Sequence, residues 1–227
     1  MSNDFIKFPH TPHLAWLSPK PLRGDRVLSN AELSVFLRDQ VIVEEKVDGA
    51  NIGISVSSEQ TLVVQNRGAY IEKPAPVQFQ PLWNWLNIRS EQLITRLGQD
   101  LILFGEWCYA VHSIRYERLP DWFIGFDIYD RSRGAFLASD RRDDLLSSLH
   151  LYSVPRIAKA HFSMPGLVRL LENSRSAFGS AKVEGLYLRR ESQGWLEQRA
   201  KIVRPEFTQA ISEHWTNRPL SKNVRAH

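Results

Sequence analysis

Three β-type runs follow one another closely in this chain, at residues 41–45, 51–57 and 61–65, with only short turns between them. Each is either apolar throughout or alternates apolar with polar residues, the pattern of a strand with one or both faces covered. No helical segment separates them. A chain that strings strands together in this way lacks the regular strand-helix alternation of a doubly wound sheet. Later runs at residues 101–105, 122–129, 183–189 and 195–203 also read as strands. Helical patterns fall at residues 29–39, 77–87, 90–97, 139–149 and 167–172, and a last helix opens at Pro205 and runs to about Glu213. The first starts on a polar cap with an acid in its first turn, Ser29-Asn30-Ala31-Glu32, and Pro205 stands where a first turn tolerates proline. The expectation is an α+β fold of mainly antiparallel sheets flanked by helices.

Composition narrows the class. Of 227 residues, 43% are hydrophobic and 24% charged, enough apolar mass for a folded core. No apolar stretch is long enough to span a bilayer, and Met1-Ser2-Asn3-Asp4 lacks the basic start of a secretion signal. The single cysteine, Cys108, excludes an internal disulfide framework, fits a reducing cytoplasm and reads as a buried structural thiol. A net charge of +4 suits a polyanionic partner without requiring one. Histidines show no metal-ligand spacing, and neither a Gly-rich phosphate loop nor a nucleophile elbow is present, which disfavours zinc chemistry and P-loop hydrolysis.

The residues that point to chemistry begin at Glu45-Lys46-Val47-Asp48-Gly49-Ala50-Asn51, directly after the first strand. A rigid strand end can hold an amine at one place, and Gly49 allows a sharp turn and close approach to a ligand. An ordinary lysine is an ammonium ion, so nucleophilic attack requires its pKa to fall through nearby cations or desolvation. Taken alone, the tetrapeptide Lys46-Val47-Asp48-Gly49 also fits a surface turn joining two strands. Further short patterns follow in order: Asn66-Arg67-Gly68, Phe104-Gly105-Glu106-Trp107, Trp122 through Tyr129 with Phe126 before an aspartate, Lys182-Val183-Glu184-Gly185, and Ala200-Lys201-Ile202-Val203-Arg204.

In that order these motifs resemble the ATP-dependent RNA ligases among the covalent nucleotidyltransferases, whose Lys-x-Asp-Gly core capping enzymes and DNA ligases share. The resemblance implies a nucleotidyltransferase fold of the ATP-grasp-like ligase kind with a nucleotide cleft. It implies that Lys46 attacks ATP and carries AMP as a phosphoramidate. Glu45 and Asn51 would lie at the nucleotide, Arg67 on its ribose or phosphate, Glu106 on the ribose hydroxyls and Phe126 against the base. Glu184 would help to hold Mg2+ or Mn2+, and Lys201 would neutralise the α-phosphate and lower the Lys46 pKa. Lys182 would add positive charge. The second basic position of the last motif holds Val203, and the Lys-x-x-Arg form places Arg204 one residue later, where a strand would point it to the opposite face. The lead Phe8-Pro9-His10-Thr11-Pro12-His13-Leu14 is similar to the opening of some RNA ligases and reads as extended coil.

The implied activity is ligation of 5′-phosphate and 3′-hydroxyl RNA ends through lysyl-AMP and adenylylated RNA, in the cytoplasm and away from membranes. Residues 202–227, 26 in number, are too few for the oligonucleotide-binding barrel that DNA ligases and capping enzymes carry after the last motif. A single catalytic domain over residues 1–227 is therefore expected, with a partner protein as one way to grip RNA. Two other readings share the sequence: self-adenylylation with transfer to a different acceptor, and an ATP- or RNA-end-binding module of ligase-like fold.

Overall fold

The computed structural model describes residues 5–19, 24, 26–210 and 220–226. Among the described residues ten strands form two antiparallel-dominated sheets. Strands β1 (Val41–Glu45), β8 (Arg156–Ala160), β9 (Gly185–Ser192) and β10 (Trp195–Val203) make one sheet in the order β10-β9-β1-β8. The other contains β2 (Ala50–Val56), β3 (Leu62–Gln65), β4 (Leu101–Trp107), β5 (Phe123–Asp130) and β6 (Ala135–Phe136) in the order β3-β2-β4-β5-β6, with β7 (Tyr152–Ser153) parallel to β5. The chain passes from the first sheet to the second between β1 and β2, through residues 46–49.

Alternation then decides what faces what. Val41, Val43, Leu186, Leu188, Ala200 and Ile202 enter one core with helices α1 (Asn30–Phe36) and α4 (Met164–Asn173). Ile52, Ile54, Leu103, Trp107, Phe123 and Ile128 enter a second core with α2 (Gln80–Leu97) and Leu146 of α3 (Ser139–Ser148). The intervening residues of both sheets, Glu44, Arg189, Arg199 and Lys201 on one and Asn51, Glu106 and Asp127 on the other, therefore line the space between the sheets. Burying both outer faces under helices leaves an inner layer that mixes these polar residues with an apolar cluster of Phe8, Ile102 and Phe104.

Most expected elements are present with shifted ends. α1 stops at Phe36, and the exposed Arg38 and Asp39 lead into β1 instead of extending the helix. The two helices expected at 77–87 and 90–97 are one: a 3-10 turn at Val77–Phe79 leads into α2, which runs through Ile88 and Arg89. No proline or glycine occurs between Leu82 and Leu97, and the Ser90 hydroxyl donates back to Asn87 O at 3.0 Å. α5 covers Pro205–Ala210, and the expected remainder to residue 213 lies outside the described residues. β8 was missed because Arg-Ile-Ala-Lys-Ala carries charged residues and two alanines and sits at a sheet edge, where such residues are tolerated. No helix of the described residues is long and apolar enough to cross a membrane.

Candidate active site

The register of β1 against β9 brings the two ends of the motif set together. Glu45 faces Leu186, so the next residue on β1's path meets Gly185, and Lys46 N donates to Gly185 O at 3.0 Å. The Lys46 side chain, 26% exposed, then reaches Glu184, whose Oε2 lies 2.5 Å from Nζ. Burial pulls the Lys46 pKa down, but Glu184, Asp48 and Glu106 together outweigh it, and the net displacement is upward. The net direction is opposite to the fall that nucleophilic attack requires, because the neighbouring acidic side chains, Glu184 first among them, outweigh burial. Burial likewise pushes Glu184 up, against the pull of Lys46 and, more weakly, Lys201.

Across the cleft, Asn51 of β2 and Glu106 of β4 are directly paired in the ladder. Asn51 Nδ2 and Glu106 Oε2 are both buried and have no hydrogen-bond partner among the described residues. Desolvation pushes the Glu106 carboxyl up to about 8, opposed by Lys46 and Arg67. Arg67 itself is exposed on the turn after β3, a turn closed by Asn66 Oδ1 accepting from Gly68 N and Ala69 N.

Lys201, paired with Tyr187 of β9, is also met on its other side by the lead segment. Leu14 N donates to Lys201 O at 2.7 Å and Lys201 N donates to Pro12 O at 2.9 Å, so residues 12–14 run beside β10 as an added short strand. The extended lead thus has a job the sequence did not reveal. Its Phe8 ring packs 5.1 Å from Phe126 and 5.0 Å from Phe104 at the inner end of the cleft.

Phe126 sits at a β-bulge: Phe104 pairs with Asp127 and Gly105 with Gly125, which leaves Phe126 as the extra residue. Its carbonyl accepts from Arg142 Nη1 at 2.7 Å and Arg189 Nη1 at 3.3 Å. Both guanidiniums are fully buried and answered by carboxylates, Glu44 at 2.6 Å from Arg142 Nη2 and Asp127 at 2.6 Å from Arg189 Nη1, with Arg199 adding a second contact to Asp127 at 2.9 Å. This network joins the two sheets behind Phe126. Sequence reading missed it, since buried arginines carry no local signature.

Other expected residues fall differently. Glu45 points to the face opposite Glu44: Oε2 accepts from Ala177 N at 2.9 Å, while Oε1 is buried without a partner among the described residues. A nucleotide contact from Glu45 would rest on that single oxygen. Lys182 is exposed in the hairpin before Glu184, bridged at the backbone to Arg175. Arg204 follows β10 instead of lying on it and turns inward. Its Nε donates to Val183 O at 2.9 Å and its Nη2 to Leu171 O and to Glu172 O at 3.0 Å, while its backbone N donates to Glu184 O at 3.0 Å. It holds the segment carrying Glu184 against the C-terminal end of α4.

Two contacts fix the shape of the turn. Gly49 is required not by a left-handed backbone but by crowding: a Cβ there would meet Trp107 O at 2.9 Å and Cys108 Sγ at 3.1 Å. Asp48 is occupied, its Oδ2 accepting from Ser113 N at 2.6 Å and from the Ser113 hydroxyl, while its own N–H donates to Tyr116 OH at 2.8 Å. Cys108 is buried as expected, and burial holds its thiol well above the usual range.

The RNA ligase family model matches residues 39–203. Among solved structures, the Naegleria gruberi RNA ligase with PPi superposes with a TM-score of 0.59 at 22% identity, covering 75% of this chain and 51% of that one. A variant of that ligase with AMP and Mn gives 0.62 at 18% identity, covering 90% and 57%, and another with ATP and Mn gives 0.62 at 18%, covering 92% and 63%. The chain therefore spans about half the length of the first of these, at 51%. At such identities the likeness establishes the fold, a mixed helix and antiparallel-sheet nucleotidyltransferase domain. No curated protein matches the chain. The family match, spanning the stretch from just before β1 to the end of β10, settles its kinship: this chain belongs to the RNA ligase family.

Proposed function

We propose that residues 1–227 form a single catalytic domain of an ATP-dependent RNA ligase that joins 5′-phosphate and 3′-hydroxyl ends. Lys46 Nζ attacks the α-phosphorus of ATP: an N–P bond forms, the P–O bond to pyrophosphate breaks, and the amine gives up a proton. The adenylyl group passes to the terminal phosphate of RNA, which frees the amine again. A 3′-hydroxyl then attacks that phosphate, forms the phosphodiester and releases AMP.

The observation that carries this reading is the facing pair Asn51 Nδ2 and Glu106 Oε2, a buried donor and a buried acceptor left unpaired on the wall opposite Lys46. A buried polar group without a partner costs about 1–3 kcal/mol. Sugar hydroxyls both donate and accept, so a ribose held there satisfies both atoms at once. Arg67 and Lys201 bring positive charge to the phosphates, and the half-buried Phe126 offers a ring to the base, with affinity but no base selectivity. The N. gruberi structures with ATP, AMP, PPi and Mn support ATP and a divalent ion as what this site takes.

Glu184 suits a divalent ion held mostly by phosphate and water. Magnesium commonly uses one or two protein carboxylates and takes its remaining ligands from phosphate and water. Glu184 would hold Mg2+ or Mn2+, whose positive charge would offset this carboxylate and favour the neutral amine of Lys46.

The test compares nicked RNA duplex, nicked DNA duplex and single-stranded RNA, each with a labelled 5′-phosphate, in the presence of ATP and a divalent ion. Sealing of an RNA substrate is the expected result. Sealing of the DNA nick alone removes the RNA assignment.

A further inference from the structure

Residues 220–226 lie far from every motif in sequence, yet they are strapped across the loop that holds Asp48. That loop leaves β4 at Cys108 and returns at Tyr116. Its backbone is met by the strap through Val111 N to Ser221 O at 2.8 Å, Asn223 N to Tyr109 O at 3.1 Å and Val224 N to Tyr116 O at 3.0 Å. At the centre Asn223, 4% exposed, uses its whole amide: Nδ2 donates to Cys108 O at 2.9 Å and to Ala110 O at 3.1 Å, and Oδ1 accepts from Tyr116 N at 2.7 Å. One side chain thus closes both ends of the loop. On either side, Lys222 lies 5.2 Å from the Tyr109 ring and Arg225 5.2 Å from the Trp122 ring.

The closed loop presents Ser113 and Tyr116 to Asp48, and Asp48 is two residues from Lys46 on a turn too short to absorb a shift. A loop that slackens releases both of the contacts that fix the Asp48 carboxylate and amide. We propose that Asn223 is a positioning residue for the Lys46 turn, acting through the loop of residues 108–116 on Ser113, Tyr116 and Asp48. This rests on the reading that Lys46 accepts the adenylyl group. Nothing in the motif set points to it, because the clamp is made by an asparagine 19 residues beyond Arg204, the end of the last family pattern.

The experiment is a double-mutant cycle on the full chain with Asn223→Ala, Ser113→Ala and both together. It measures single-turnover formation of the protein-AMP adduct from labelled ATP, alongside ATP saturation and thermal unfolding. A displacement of the nucleophile by about 1 Å costs on the order of 100-fold in rate. Asn223→Ala is therefore expected to slow adduct formation about 10- to 100-fold with ATP half-saturation nearly unchanged, the split of a misplaced nucleophile and not of lost binding. Asn223→Ser, which keeps a short hydroxyl in the same place, should recover part of the rate. Ser113→Ala should slow the reaction in the parent and add little in Asn223→Ala. Additive effects overturn the proposal, as do unchanged rates in a folded Asn223→Ala. Should Asn223→Ala not fold at the assay temperature, Ser113→Ala alone decides: this residue is exposed, and an unaltered rate there removes the route from the loop to the turn. Absence of adduct in the parent protein is a different outcome, which strikes the ligase reading itself.

Discussion

Lys46 and Glu184 are 138 residues apart in sequence and 2.5 Å apart in space, because β1 and β9 are neighbours and the turn after β1 meets the residue before β9. In the proposed reaction Glu184 favours the protonated form of the amine. Chemistry at Lys46 therefore depends on what else approaches Glu184. Glu184→Gln removes that hold, but it also removes the oxygen proposed for the divalent ion. It should slow adduct formation and weaken its dependence on divalent-ion concentration, read by titrating Mg2+ or Mn2+ against adduct yield.

Glu106 makes stability fall as the solution becomes more basic. Its folded pKa, about 8, lies above that of an unfolded glutamate, so the folded state binds the extra proton between roughly pH 4.5 and 8. The stabilising contribution of the neutral acid is complete below that window and is lost as pH rises through it. Unfolding by urea from pH 5 to 9 without ATP should show this decline. Glu106→Gln, which imitates the neutral acid, should flatten it.

Arg142 and Glu44 are both wholly buried, and the guanidinium also supports the bulge at Phe126. Arg142→Ala leaves the Glu44 charge without its main partner inside the protein, a change that costs about 3–5 kcal/mol. Chemical denaturation should report that loss. A variant as stable as the parent would mean that Arg189, 4.0 Å from Glu44, suffices for it.

Gly49→Ala tests crowding at the turn. The added methyl meets a backbone carbonyl at Trp107, which cannot step aside as a side chain would. Strain of about 1–3 kcal/mol follows, visible in the urea midpoint. A slower adduct-forming step should accompany it, since the same backbone carries Lys46.

Arg204→Met should cost stability more than catalysis. It leaves Val183 O, Leu171 O and Glu172 O without their shared donor, about 1–3 kcal/mol for each carbonyl that finds no water. Calorimetry reads that loss. A fall in adduct formation with no change in melting temperature would instead place Arg204 at the phosphates.

What could be read in the sequence was local. β1 and β10 have the expected bounds, the Ser29 capping box is formed with Glu32, Glu184 meets Lys46, and Asn51 pairs with Glu106. Period and order sufficed there because each signal is carried by neighbours in sequence. The residues that hold the site in shape were not legible, since their partners are distant. Arg142 finds Glu44 across 98 residues, Asn223 finds Cys108 across 115, and Pro12 brackets Lys201 only after the sheet has formed. Gly49 is legible as a site of close approach, but the carbonyl that crowds it belongs to another strand, and Arg204, expected to point to the opposite face of a strand, lies past the end of β10.

The most direct test is the intact mass of the protein after incubation with ATP and a divalent ion, compared between the parent and Lys46→Ala. The parent should gain one adenylyl group, and Lys46→Ala should gain none while remaining folded. An adenylyl group on the alanine variant, or none on a folded parent, contradicts the assignment of Lys46 as the nucleophile.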